Sequence, residues 1–295
     1  MRLGGRIFDL SAMITVRNLS FTYPHQAAPT IKNIDFEVEK GEIFGFLGPS
    51  GAGKSTTQKV LIRLLRGFEG EARVMGKSLR DWRHDYYEHI GVGFELPNHY
   101  PKLTARENLR FFASFYDRPV RNLMSLLDRV GLAAHADKRV EAFSKGMKMR
   151  LNFVRALMHD PEILFLDEPT AGLDPANARL IKDLIRELKH AGKTIFLTTH
   201  HMHDAEELCD RVAFMADGEI RLIDTPAQLR LRGADRKVAV RYQDGAMQEA
   251  VFPLESLGNN AAFLNLIRSY PVESIHSCEQ RMEEVFIEVT GKQLT

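Results

Sequence analysis

The sequence predicts an α/β fold: a strand core carrying a phosphate-binding loop, a helical subdomain inserted into that core, and a small α+β domain behind it. Three observations carry this prediction. Gly48-Pro49-Ser50-Gly51-Ala52-Gly53-Lys54-Ser55-Thr56 has GxxxxGKS/T spacing and lies between an apolar run and a helical pattern. Downstream, Ile163-Leu164-Phe165-Leu166 and Ile195-Phe196-Leu197 are further apolar runs of strand length, each ending in polar side chains. Between loop and strands, from about 96 to 160, helical periodicity dominates. Together they describe a P-loop NTPase core with a helical insertion.

Bulk properties set the frame. A chain of 295 residues is long enough for one large α/β domain and a smaller appendage. Hydrophobic residues at 44% and charged residues at 27% give an ordinary globular balance. Forty basic residues against thirty-nine acidic ones give no electrostatic support for a nucleic-acid partner. Cys209 and Cys278 lack CxxC spacing, which argues against a disulfide scaffold or thiolate metal site and fits a reducing compartment. No apolar run approaches the ~18 residues of a membrane span. Residues 1–13 read as an N-terminal extension, with arginines but no continuous apolar signal core. The expectation is a soluble chain, for which any membrane process needs another subunit.

In order, Ile14 to Phe21 alternates as a half-exposed strand, with Asn33 to Val38 as its partner. Tyr23 stands between them; its ring stacks on a nucleobase or closes a surface turn before Pro24, and spacing admits both. Ile43 to Leu47 reads as a buried parallel strand, and Ser55 to Arg66 as a helix with Val60, Leu61, Leu64 and Leu65 inward and Gly67 as its stop. Glycines let loop N–H groups close around phosphate oxygens, and the helix start adds partial positive charge. Lys54 then reaches the β- and γ-phosphates, and Ser55 is placed to ligate Mg²⁺.

Ile90 to Asn98 reads as a strand ending in a polar residue and a proline turn, with Glu95 near its end. Thr104-Ala105-Arg106-Glu107 is a capping box opening a helix through Phe111, Phe112 and Phe115, and Arg121 to Val130 and Lys145 to Met158 continue the helical pattern. The strand from Glu162 delivers Asp167 and Glu168: Asp167 to hold Mg²⁺, Glu168 to polarise an attacking water. Lys193 to His200 is another strand, whose His200 is placed to contact the γ-phosphate and orient that water. His200, His201 and His203 invite a metal reading, but consecutive side chains on a strand end point in opposite directions, which argues against it. Val212 to Met215 and Ile220 to Ile223, joined by Asp217-Gly218, close the core as a hairpin. Beyond a helical 229–231, a hairpin about Asp244-Gly245, a helix from Asn260 to Tyr270, a strand from Val272 to Ser277 and a helix from Glu279 to Val289 make up the C-terminal domain at 233–295. It carries no catalytic constellation, so docking, dimerisation or regulation is its expected role.

With these pieces in place, the chain resembles the ATP-binding cassette (ABC) ATPases over an ATP-binding domain at 14–232, with its helical subdomain at about 96–160. Phe143-Ser144-Lys145-Gly146-Met147 looks like the ABC signature segment, and Ala171-Gly172-Leu173-Asp174-Pro175 like the loop that crosses the family's dimer interface. His200 stands at the switch-histidine position, Tyr23 at the base-stacking aromatic, and Glu95 at the glutamine loop. Two departures stand out. Lys145 and Met147 replace a glycine and a glutamine of the common signature, a variant similar to ATPases serving ABC-2-type permeases, while Ser144 and Gly146 are kept. Glu95 replaces the glutamine, adding negative charge near Mg²⁺ and the triphosphate, so altered metal affinity or coupling is expected there.

The resemblance implies Mg-dependent ATP hydrolysis in a head-to-tail dimer, with a second copy or a related ATPase as partner. Tyr23, Gly48 to Thr56, Glu95, Ser144, Gly146 and Asp174 would bind ATP; Ser55, Asp167 and Glu95 would hold Mg²⁺; Glu168, His200 and Lys54 would be catalytic. It further implies an integral membrane permease docked on the segment after Glu95, peripheral attachment at the cytoplasmic face of the membrane, and efflux of drug-like compounds. The tail from Arg281 to Gly291 is similar to that of drug-exporter ATPases, those of fluoroquinolone-type export in particular. The alternative is a soluble ABC ATPase of the ribosome-associated or DNA-repair type. A single cassette, with no heptad run from Lys54 to Ser144, speaks against it. Glu168, as a general base, speaks against a regulator without turnover.

Overall fold

The computed structural model describes residues 12–232, 237–278 and 281–293, in two compact units that divide at Asp224. The first unit runs through β1 (Ala12–Phe21), β2 (Ile31–Glu39), β3 (Ile43–Leu47), α1 (Lys54–Leu61), β4 (Glu69–Val74), β5 (Lys77–Ser78) and β6 (Ile90–Gly93). It continues through α2 (Ala105–Ala113), α3 (Leu123–Arg129), α4 (Lys145–Leu157), β7 (Ile163–Asp167), α5 (Pro175–His190), β8 (Thr194–Thr199), α6 (Met202–Leu208), β9 (Arg211–Ala216) and β10 (Glu219–Asp224).

Two sheets form its core. A six-stranded sheet in the order β10-β9-β3-β8-β7-β6 has β9, β3, β8, β7 and β6 parallel. Every residue of β3, β7 and β8 is buried, as continuous apolar runs covered on both faces require. A four-stranded antiparallel sheet in the order β2-β1-β4-β5 packs against it. The seam between the sheets is aromatic: Phe36 of β2 stacks on Phe44 with ring centroids 5.7 Å apart and meets Phe46 edge-on at 5.0 Å. Asp217 (φ 53°) and Gly218 (φ 81°) supply the two left-handed residues of a tight turn between β9 and β10.

The helical insertion is held by side chain to backbone bonds. Thr104 caps α2 through a complete capping box with Glu107. Asn108, fully buried, accepts from the Tyr100 N–H and donates to the carbonyls of Tyr100 and Thr104, which pins the entering loop. Asn122 caps α3 and Ser144 caps α4, the latter by accepting from the Met147 N–H at 3.2 Å. Among the described residues no helix is long and apolar enough to cross a membrane.

The second unit begins with α7 (Pro226–Arg232), followed by β11 (Lys237–Asp244), β12 (Ala246–Pro253), α8 (Ala261–Ser269), β13 (Val272–Cys278) and α9 (Met282–Thr290). Its antiparallel sheet runs β12-β11-β13, and β11 and β12 pair residue for residue from Lys237↔Pro253 to Asp244↔Ala246. Val238 and Val240 pack against Phe263 of α8, and Gly291 (φ 67°) ends α9.

The structure corrects the sequence reading in four places. Helix α1 ends at Leu61 rather than Arg66, because Arg63 turns left-handed (φ 61°), and Leu64, expected inward, is 57% exposed. Strands β4 and β5 lie between α1 and β6, where no strand was expected. The expected boundary at 232/233 moves to Asp224, since α7 contacts α9 and belongs with the second unit. Most of the extension at 1–13 lies outside the described residues, and β1 already begins at Ala12; the first residues of the helix expected from Glu279 also lie outside them.

The junction of β6 and α4 makes the packing testable. A Cβ on Gly91 would stand 2.1 Å from the Ala156 carbonyl oxygen. Gly91→Ala is expected to destabilise the chain by about 1–3 kcal/mol through overpacking, read as a lower urea midpoint by circular dichroism. A wild-type midpoint would contradict the packing.

Candidate functional site

Strand β3 releases the chain at Leu47 into a loop that admits only certain backbones. A Cβ on Gly48 would stand 2.1 Å from the Met215 carbonyl oxygen, so β9 leaves room for glycine alone. Gly51 (φ 79°) and Gly53 (φ 109°) are left-handed, and Gly53 caps α1 without any side-chain bond. The N-terminus of α1 is therefore without a side-chain anion, as a phosphate site needs. Ala52 is buried; its N–H donates to the Pro49 carbonyl and its own carbonyl accepts from the Gly218 N–H, which ties the loop to the β9–β10 turn.

Lys54 folds back over this loop, with its Nζ 2.6 Å from the Gly48 carbonyl oxygen and 3.0 Å from that of Pro49. Burial pulls its pKa below the ordinary lysine value, while Glu168, Asp167 and Glu95 pull it back up. Asp167, at the end of β7, accepts through one oxygen from the Ser55 hydroxyl at 3.3 Å and from the Thr198 hydroxyl of β8. Burial raises the Asp167 pKa; the bonds from Thr198 and Ser55 lower it, the Glu168 charge raises it further, and Lys54 lowers it.

Glu168 is 5% exposed, with a left-handed backbone (φ 48°) held by its N–H to the Thr198 carbonyl at 2.9 Å. One carboxylate oxygen accepts from the backbone N–H of His200 at 2.9 Å and lies 2.7 Å from its Nδ1. The other accepts from the Thr199 hydroxyl at 3.0 Å. A carboxylate has about four acceptor sites, so one remains for a water's proton. The base and the histidine expected from sequence thus meet directly.

A cleft of about 330 Å³ opens over these groups, lined by Ser50, Gly51 and Gly53 to Thr56 and, opposite, by Glu95, Glu168 and His200. Glu95 is exposed there. Tyr23 reaches the loop from β1's end, its hydroxyl 3.2 Å from the Thr56 hydroxyl and its ring edge-on to Phe21. Ser55 and Asp167 present oxygen donors to one point, a set that fits a hard cation such as Mg²⁺.

Eight expected site residues are not among those lining this cleft: Tyr23, Gly48, Pro49, Ala52 and Asp167 each bond to or adjoin a lining residue, whereas Ser144, Gly146 and Asp174 do not. Ser144 spends its hydroxyl as the α4 cap, and a Cβ on Gly146 would touch Leu173 at 3.4 Å. Asp174 caps α5 by accepting from the Asn177 N–H at 3.0 Å, and that bond holds its carboxyl below the usual range. The signature segment and the 171–175 loop therefore lie against each other within one chain.

Sequence reasoning missed two kinds of partner. Thr198 and Thr199 fix the two carboxylates, and the signal was their position directly before His200. The histidine geometry was also misjudged. Strand β8 ends at Thr199, so His200 and His201 escape strand alternation, and their rings lie 4.0 Å apart. His203 sits separately on exposed turns of α6.

Residues 31–171 match the family model described as ABC transporter, and residues 236–279 match the model described as fluoroquinolone efflux ABC transporter C-terminal domain. The chain is 55% identical over 285 residues to a fluoroquinolones export ATP-binding protein of Mycobacterium tuberculosis, covering 96% of this chain and 95% of that one. It is 35% identical over 263 residues to a linearmycin resistance ATP-binding protein of Bacillus subtilis, covering 87% and 79%. Among solved structures, a dimeric ATP-binding cassette bound to ADP and Pi in a post-hydrolysis state superposes with TM-score 0.67 at 27% identity, over 72% of this chain and 99% of that one.

Asp167 makes the site's electrostatics measurable. Its folded pKa lies above the ordinary 3.8, so between the two values the folded state holds more protons than the unfolded one. This group's contribution to stability therefore declines as pH rises through that window. Asp167→Asn is expected to gain urea midpoint relative to wild type as pH rises from about 4 toward neutrality, and to lose the thermal shift produced by Mg·ATP. A parallel pH dependence in both proteins would contradict the burial cost.

Proposed function

This chain belongs to the ABC transporter family as the ATP-binding, ATP-hydrolysing subunit of an exporter, and we propose how its residues do that work and for which cargo. ATP enters the cleft with its adenine on Tyr23 and its phosphates along Gly48 to Thr56. Lys54 exchanges its carbonyl partners for the β- and γ-phosphates. Ser55 and Asp167 would hold Mg²⁺, which would neutralise phosphate charge, and Glu95, lining the same cleft, would tune that affinity. Glu168 takes the proton of the attacking water at its free acceptor position, and His200, fixed to the same carboxylate, orients the water toward the γ-phosphate. Positioning and charge stabilisation dominate phosphoryl transfer, and both are supplied here by strand ends that cannot shift independently.

Ser144 and Gly146 complete the site only from a second copy. In one chain they do not line the cleft, and Ser144 caps the start of α4. A head-to-tail pair would bring that helix start and Asp174 onto the partner's ATP. The relation to a dimeric post-hydrolysis cassette supports this arrangement. The motion of closing and reopening passes to a separate integral membrane permease, which holds this subunit at the cytoplasmic face of the membrane.

The cargo we infer is a drug-like compound of the fluoroquinolone type. The observation that carries it is identity of 55% extending through both units, together with the match of 236–279 to a fluoroquinolone efflux C-terminal domain. Purification of the chain from membranes of its own cells tests the partner: a polytopic permease is expected to co-purify. Drug accumulation with and without the pair then tests the cargo, and unchanged accumulation would refute it.

Glu168→Gln tests the chemistry. Loss of a general base is expected to lower phosphate release by about 10²–10⁴ while ATP is retained and the protein elutes as a dimer. Brisk turnover by this variant would refute the assignment.

A further inference from the structure

Glu168, His200 and His201 each offer one ligand atom, and these three atoms lie within 4.8 Å of one another. The carboxylate is buried, while the two histidines face outward at the end of β8 with rings 4.0 Å apart. Glu168 and His200 also line the nucleotide cleft, so an ion reaching the cleft reaches them. Two imidazoles and one carboxylate are a donor set for borderline transition metals, whereas Mg²⁺ favours oxygen ligands alone. Bonds of about 2.0–2.2 Å to zinc fit among atoms this close after small shifts of the three side chains. Three protein ligands leave a fourth position for water.

We propose that Glu168, His200 and His201 form an inhibitory site for a zinc-class divalent ion, separate from the Ser55–Asp167 oxygen site. The site needs no nucleotide and no partner copy. Its consequence for turnover rests on the roles proposed above: a metal on Glu168 occupies the acceptor a water would use, and a metal on His200 ties down the group that orients that water. No bond of the substrate is broken, and the ion leaves when a chelator removes it.

The full-length chain, stripped of metal and held in excess Mg²⁺, is titrated with CoCl₂ as a spectroscopic stand-in for zinc. Wild type is expected to develop the visible absorption of four-coordinate cobalt, and His201→Gln to lose it. His203→Gln, altered at a neighbouring histidine outside the cluster, is expected to keep it. In the second arm ZnCl₂ inhibits Mg-dependent ATP hydrolysis by wild type, reversibly with a chelator. His201→Gln, altered at a residue that does not line the cleft, is expected to keep wild-type turnover without zinc and to need at least about tenfold more zinc for half-inhibition. Equal cobalt absorption or equal zinc sensitivity in wild type and His201→Gln would overturn the site. The cobalt signal stands apart from turnover, so failure of the metal site and failure of the assigned hydrolytic roles are told apart.

Discussion

Three neighbouring parallel strands that end level with one another are the constraint on which the rest depends. In the register of β3, β8 and β7, Leu47 pairs with Thr199 and Asp167 with Thr198. The glycine loop, the Asp167 carboxylate and the Thr199–His200 pair are thus issued from one sheet edge within a residue of each other. A parallel strand cannot slip by one position without moving every side chain to the opposite face, away from the neighbours it packs against. The site's geometry is therefore fixed by core packing, and the polar groups add orientation to positions already set.

That edge concentrates charge where water is scarce. Lys54, Asp167 and Glu168 are each less than a tenth exposed, and each carries a desolvation cost unless a partner offsets it. The partners are mostly neutral hydroxyls and backbone groups: Thr198 and Ser55 for Asp167, Thr199 and the His200 N–H for Glu168. Such partners hold a carboxylate in place without cancelling its charge, so the charge stays available to a cation or a proton.

Much of this was legible in the sequence because local rules and tertiary context agreed. The glycine spacing before Lys54, the Thr104–Glu107 capping box and the Ser144 cap are local chemistry, and each appears where its residues stand. The misses came where tertiary contacts overrode a pattern. Leu64 and Leu65 continue the apolar period of α1, yet Arg63 turns left-handed and the helix stops. Glu69 to Val74 has too few apolar residues to read as a strand, and it forms because β1 offers an unpaired edge on that side. The histidines were misplaced because strand alternation was extended one residue past the end of β8. Ser144, Gly146 and Asp174 could be read only by resemblance, since nothing in one chain brings them to a ligand.

The contact between Lys54 and the carbonyls of Gly48 and Pro49 also bears on how tightly this loop grips its guest. An ammonium with no company in an empty pocket would gain its whole interaction from an arriving phosphate and would surrender it only slowly afterwards. On the proposed role of Lys54, an incoming phosphate would replace two acceptors already in place. What is gained on arrival and lost on departure is then a small difference, which suits a motor that must let go of its spent fuel as readily as it takes on the next load.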